Sequence, residues 1–253
     1  MPVLSAEEHI AAIYDTLFRT WGRQHWWPAR TRFEVIVGAY LTQNTSWTNV
    51  ELAMQDLRAA GVLNVAGIRK ISRRDLERLI RSSGYFRQKA QRLKIFVKFL
   101  EQNYGGSLTR MFARPTAELR EQLLVLNGVG PETADSILLY AGQHPVFVVD
   151  AYTRRIVARH GILREDAKYE DIRTTFERAL AAQASSASTR PSSVSLGGAS
   201  HRPSRMSLAA REPLAQVFNE MHGLIVGVGK KYCLKSGPHC EECPLKPLLP
   251  EGK

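Results

Sequence analysis

Apolar side chains recur along most of this chain at the interval of an amphipathic helix. Ile10, Tyr14, Leu17 and Phe18 form one such stripe, and Leu93, Ile95, Phe96, Phe99 and Leu100 form another. A third begins near Pro213 and runs through Leu214, Val217, Phe218, Met221, Leu224 and Val228. Ser5 with Glu8 and Ser72 with Asp75 have the spacing of a capping box, in which side chains satisfy the orphan amides of a first turn. No segment alternates with the period of a half-buried strand, so the pattern predicts an all-α protein with short loops.

One stretch departs from this texture. Residues 184–207 are rich in Ser, Ala, Gly, Pro and Arg and have almost nothing to bury. Such a segment cannot offset its ordering entropy and is expected to be a disordered insertion. The start of the chain shows no basic leader followed by an apolar core, and no apolar run approaches the roughly 18 residues of a spanning helix. The expectation is a protein without a membrane segment, cytoplasmic and nucleoid-associated, acting as a monomer.

Charge narrows the partner. The 253 residues carry 35 Lys and Arg against 24 Asp and Glu, a net charge of +11, which points to a polyanion. The three cysteines, Cys233, Cys240 and Cys243, crowd toward the C-terminus, a poor disulfide framework and a better metal-site pattern.

Candidate chemistry concentrates between Leu124 and Asp150. A helix ends in LNGVG, where Gly128 and Gly130 can supply a positive-φ turn, and Pro131 suits the first position of the next helix. Outward-facing amides at such a helix start make a phosphate cradle that grips the backbone without reading bases. Its candidate contacts are Asn127, Gly128, Val129, Gly130, Glu132 and Thr133. A second helix, glycine and basic-helix element over Ser82–Leu93 adds Arg87, Lys89 and Arg92. Asp150 closes the apolar run VFVV and opens the helix AYTRRIVARHG, which also suits a plain N-cap.

LNGVGPETAD followed by VVDAYTRR, with Asp150 twenty residues after Gly130 (150 − 130 = 20), resembles the helix-hairpin-helix glycosylases of the endonuclease III superfamily. The resemblance covers nearly the whole chain apart from the insertion. It implies two helical lobes with a DNA cleft between them: a six-helix barrel over 31–149, with its hairpin near 124–140, and a second lobe of 1–30 together with 150–253. It also implies double-stranded DNA with a damaged base as partner and Asp150 as the catalytic carboxylate. A fixed anion suits that role, because breaking an N-glycosidic bond builds oxocarbenium-like charge on the sugar.

Lyase-active members carry a lysine two residues after the hairpin's second glycine, and here that position is Glu132. A carboxylate forms no Schiff base, which implies a monofunctional enzyme; as a helix-start acid Glu132 is also simply favourable. HWWPAR and LTQNTSW, with GVGPETAD, resemble the branch that excises 3-methyladenine and related purines. The resemblance implies a base pocket of Trp26, Trp27, Pro28 and Trp47, whose indole faces attract an electron-poor base. Two adjacent tryptophans on one helix cannot both face the core, so one of the pair is expected to line a cleft. Gln43 either probes the pocket mouth or bonds nearby backbone, and Lys230 matches a lysine that approaches the pocket.

Cys233, Cys240 and Cys243 reproduce three of the four ligand positions of the superfamily's [4Fe–4S] loop, here 233–249, with Leu249 at the fourth. The chemistry is expected to need no cofactor. The loop either holds a cluster, completed by His239 or an exogenous group, or survives as a remnant. Two other readings stay open: an endonuclease III-type glycosylase and lyase acting on oxidised or mismatched bases, and a non-catalytic helix-hairpin-helix DNA-binding module.

Overall fold

The computed structural model describes residues 4–185 and 202–250. In chain order its helices are α1 (Ala6–Trp21), α2 (Arg32–Leu41), α3 (Trp47–Ala59), α4 (Val65–Lys70), α5 (Arg73–Leu79) and α6 (Phe86–Tyr104). There follow α7 (Leu108–Phe112), α8 (Thr116–Leu124), α9 (Pro131–Ser136), α10 (Ala151–Arg159), α11 (Tyr169–Ala181) and α12 (Pro213–Lys231). There is no strand among the described residues, and the fold is all-α. The chain forms two compact units, Met1–Pro28 with Gln143–Lys253 and Ala29–Gly142.

The unit Ala29–Gly142 holds eight helical segments, α2 to α9. Its central one is α2, buried at every position from Phe33 to Leu41, as a largely apolar helix must be. It packs on α6, which turns Ala90, Leu93, Phe96, Val97 and Leu100 inward, and on the π-helical turn Ile137–Gly142 that continues α9. Ser72 caps α5 by accepting the Asp75 amide at 3.1 Å, and its hydroxyl donates to the Asp75 carboxylate at 2.7 Å, a variant of the expected box. Arg120 of α8 clasps the fully buried Asp135 of α9 through two hydrogen bonds of 2.6 and 3.0 Å, locking the helices on either side of the hairpin turn.

The other unit is built on α12, buried at Ala215 and from Val217 to Gly229. α1 packs on α11 and α12, and α10 packs on α12. The Ser5–Glu8 capping box opens α1 as the spacing predicts. The run Gln143–Val149, placed in the barrel by the sequence reading, clusters here instead. Phe147 holds it there, stacked on Phe176 at 4.5 Å and edge-on to Phe218 at 5.9 Å.

Most of the insertion expected over 184–207 lies outside the described residues. Its last residues are not the solvated linker that was expected: Met206 and Ser207 are buried, and Arg211 donates to the Met206 carbonyl at 2.7 Å.

Candidate functional site

The hairpin turn depends on one glycine rather than two. Gly128 adopts φ +78°, and a Cβ there would lie 1.9 Å from Arg92 Nε. Gly130 has φ −94°, meets nothing that a Cβ would touch, and serves as the N-cap before Pro131. The expectation of positive φ at Gly130 is therefore corrected: an extended residue suffices before a helix that starts with proline. Val129 is also corrected as a phosphate contact, because its side chain is buried and its amide donates to the Leu126 carbonyl at 3.0 Å. Asn127 and Glu132 are exposed.

Gln43 belongs to this turn. Its Nε2 donates to the Gly128 carbonyl and to Thr133 Oγ1, both at 2.9 Å, and its Oε1 accepts from Arg92 Nη1 at 2.7 Å. The amide is thus a clasp between the end of α2, the hairpin and α6. Arg92, a candidate phosphate contact in the sequence, is bound here to Gln43 and packed against Gly128.

Lys89 is a clear correction. It is 1% exposed, and its ammonium donates to the carbonyls of Leu41 at 2.8 Å and Ser83 at 2.6 Å. The cation satisfies two chain ends and has no face left for phosphate. Burial pulls its pKa down to about 8. Arg87 is exposed beside the Phe86 ring, and Trp47 begins α3 half-buried.

Asp150 stands in the other unit as the N-cap of α10. Its Oδ1 accepts from the Thr153 amide at 2.8 Å and the Thr153 hydroxyl at 2.9 Å. Its Oδ2 is left over from the cap and faces His222 Nε2 at 3.6 Å. His222 was not picked out in the sequence, where it is one polar position within the buried stripe of α12. Its ring lies 6.3 Å from that of Trp26.

Trp26 and Trp27 lie in a loop rather than on a helix, and both are buried, so the helical geometry expected to part them into one core and one cleft residue does not apply. Freed from helical geometry, their rings meet at 5.7 Å and 62°. Pro28 is half-buried beside them. Gly223 of α12 underlies this loop: a Cβ there would come within 2.9 Å of Gln24 Cβ and 3.1 Å of Trp26 Cβ. The loop is anchored by the Gln24 amide, which donates to the buried Glu220 carboxyl at 2.7 Å. Lys230 is exposed on the last turn of α12. This unit therefore brings Trp26 and Asp150 to His222, with Trp27 against Trp26, while the other gathers Gly128, Thr133 and Arg92 around Gln43.

Cys233, Cys240, Cys243 and Leu249 line one pocket with Arg159, His160 and Leu245. Arg155 braces its entrance by donating to the Cys233 and Gly229 carbonyls, and Arg159 donates to Cys233 Sγ at 3.2 Å. Burial pushes the Cys243 thiol up. Leu249 occupies the wall where a fourth donor would stand, and His239 does not line the pocket. Among the described residues no group of three or more His, Cys, Asp and Glu is arranged to hold a metal ion. Three thiols and a leucine do not make a complete cluster site.

Residues 37–182 match the family model of the HhH-GPD superfamily base excision DNA repair protein. A protein of Methanocaldococcus jannaschii, provisionally named a DNA repair glycosylase, is 41% identical over 94% of both chains. Endonuclease III of Thermotoga maritima is 26% identical over 85% of this chain and 80% of its own. The solved structure of H. pylori 3-methyladenine DNA glycosylase bound to 1,N6-ethenoadenine superposes with a TM-score of 0.71 at 29% identity, covering 90% of this chain and 98% of that one. By sequence and fold together, the chain belongs to the HhH-GPD superfamily of base excision DNA repair proteins, as a DNA repair glycosylase.

Proposed function

We propose that this glycosylase hydrolyses the N-glycosidic bond of an alkylated purine of the 3-methyladenine kind, flipped from double-stranded DNA, and stops at the abasic site. The observation that carries the reading is the state of Asp150: one carboxylate oxygen is fixed by the helix cap, and the other faces His222, whose ring neighbours Trp26. Glu132, in the place of a lyase lysine, supports the monofunctional part. The kinship with the H. pylori enzyme, itself described as a 3-methyladenine glycosylase, supports the lesion class.

In this mechanism the bond between the sugar C1′ and the base nitrogen breaks with its electron pair leaving on the base. Positive charge then builds on the sugar, Asp150 stabilises it, and water adds to C1′. Alkylation makes the purine a better leaving group and an electron-poor partner for indole faces. Trp26, Trp27 and Pro28 are the stacking residues of one unit, and Trp47 is the candidate of the other. Asn127, Gly128, Glu132, Thr133 and Arg87 are assigned to the DNA backbone, Gln43 to holding the hairpin, and Lys230 to the approach of the base. The side chains act without a cofactor, and no step is assigned to the cysteine pocket. No described helix is long and apolar enough to cross a membrane, and the protein is proposed to work as a nucleoid-associated monomer in the cytoplasm.

The test is incubation with duplex DNA carrying either 3-methyladenine or an oxidised pyrimidine. Base release is scored separately from strand cleavage and from borohydride trapping, with Asp150→Asn as control. Release of the alkylated purine that needs Asp150 and yields no trapped complex is the expected result. Trapping or nicking would move the protein to the lyase branch, and no release from either substrate would leave a DNA-binding module.

A further inference from the structure

We infer that His222 is a positioning residue for the glycosidic cleavage: buried on α12 beside Trp26, it faces the leftover Oδ2 of Asp150 and sets how much of that anion's charge reaches the sugar. The inference rests on Asp150 being the reactive carboxylate. Thr153 takes Oδ1 twice, so His222 is placed to act on the other oxygen. At 3.6 Å the pair is too long for a hydrogen bond yet close enough for strong coupling away from water. The imidazole is held rigidly. Its side chain is 5% exposed, and the Trp26 and Phe147 rings flank it, each at 6.3 Å.

The two protonation states of His222 have opposite effects. A neutral ring leaves the Asp150 charge uncancelled and available to an oxocarbenium-like sugar. An imidazolium would pair with Asp150 and remove that charge from the reaction. Burial lowers the His222 pKa from its ordinary value of 6.5, and Asp150 opposes the shift, so the neutral ring persists further into acid than an exposed histidine would.

Asp150 is the charged group that acts on the ring. The other ionisable groups of the packed elements have their own partners. Glu177 and Tyr169 of α11 accept from the amides of Phe147 and Val149, and Glu220 of α12 accepts from Gln24. On α1, Glu7 pairs with Arg178, Glu8 caps the helix through Ser5, and the His9 ring rests on His160. Arg155 of α10 is turned to the carbonyls of Gly229 and Cys233, and its guanidinium lies over the Tyr152 ring.

The experiment is single-turnover release of 3-methyladenine from duplex DNA as a function of pH, for the wild type, His222→Gln, His222→Leu and Asp150→Asn. Folding is checked by thermal melting, and the His222 ring proton is followed by NMR. Glutamine keeps an N–H near Nε2 without titrating. It should retain the neutral-pH rate within roughly threefold while the acid limb moves to lower pH. Leucine also removes the titrating ring and should move the acid limb the same way with DNA affinity unchanged. Asp150→Asn should lower the His222 pKa further, since the carboxylate is the group that raises it. Superimposable pH profiles for wild type and His222→Gln, together with an unmoved His222 titration in Asp150→Asn, would overturn the inference even if His222→Leu fails to fold. Wild-type release by Asp150→Asn would instead remove the reading of Asp150 on which it stands.

Discussion

Lys89 in one unit and His222 in the other are both basic side chains buried to a few per cent exposure, yet their surroundings treat them in opposite ways. Lys89 is met by two carbonyl oxygens within 2.8 Å, which belong to residues at helix ends that need a donor. His222 faces the Asp150 carboxylate oxygen at a distance too long for a hydrogen bond. A buried charge with complete partners is architecture, because nothing remains to interact with a substrate. A buried ionisable pair with slack in it can respond to charge that appears only during a reaction.

The largest effect expected from breaking this contrast is at Asp150. Asp150→Asn keeps an oxygen for the Thr153 cap but loses the anion, so base release should fall on the order of 10²–10³-fold while the melting temperature barely moves. Lys89→Met should do the reverse. It strands the Leu41 and Ser83 carbonyls, costs about 2–3 kcal/mol in denaturant unfolding, and leaves the pH profile of base release unchanged. Gly128→Ala comes next, at about 1–3 kcal/mol, because φ +78° and the Arg92 guanidinium both oppose a methyl group. Gly130→Ala, two residues along the same turn, should stay within about 0.5 kcal/mol, and equal losses at both glycines would refute the one-glycine account of the hairpin.

The pH dependence of stability sharpens the same comparison with smaller effects. Both groups have folded pKa values below their ordinary ones, so in each case the unfolded chain binds more protons between the two values. Each contribution to stability therefore rises with pH through its own window. For Lys89 that window runs from about 8 to 10.5. For His222 it lies below 6.5, where falling pH should erode stability. Stability curves of Lys89→Met and His222→Gln should each lose only their own slope.

What the sequence made legible was local. Capping chemistry at Ser5, the helix break before Pro131 and the N-cap position of Asp150 are each decided by residues a few places apart. Lys89, Gln43 and His222 were misjudged or missed because their partners are distant in the chain. Leu41 answers Lys89, Gly128 and Arg92 answer Gln43, and Asp150 answers His222. A basic residue on a helix looks the same from its neighbours whether it meets solvent, a carbonyl or a carboxylate. The paired tryptophans were misjudged for a related reason, since spacing cannot reveal that the pair sits in a loop. Leu249 was legible as a departure, and it lines the same pocket as the three cysteines.

Gly223 makes the setting of Trp26 adjustable from outside the reacting groups. The indole-bearing loop rests against a helix at a point where one absent methyl group permits the contact. Adding that methyl would displace Gln24 and Trp26 without altering any side chain assigned to the lesion or the sugar. Substrate range in such an enzyme can therefore drift by a change on the far side of the loop, and an engineer seeking a wider or narrower set of lesions has a lever at residue 223 that leaves the identities of Asp150 and both tryptophans unchanged.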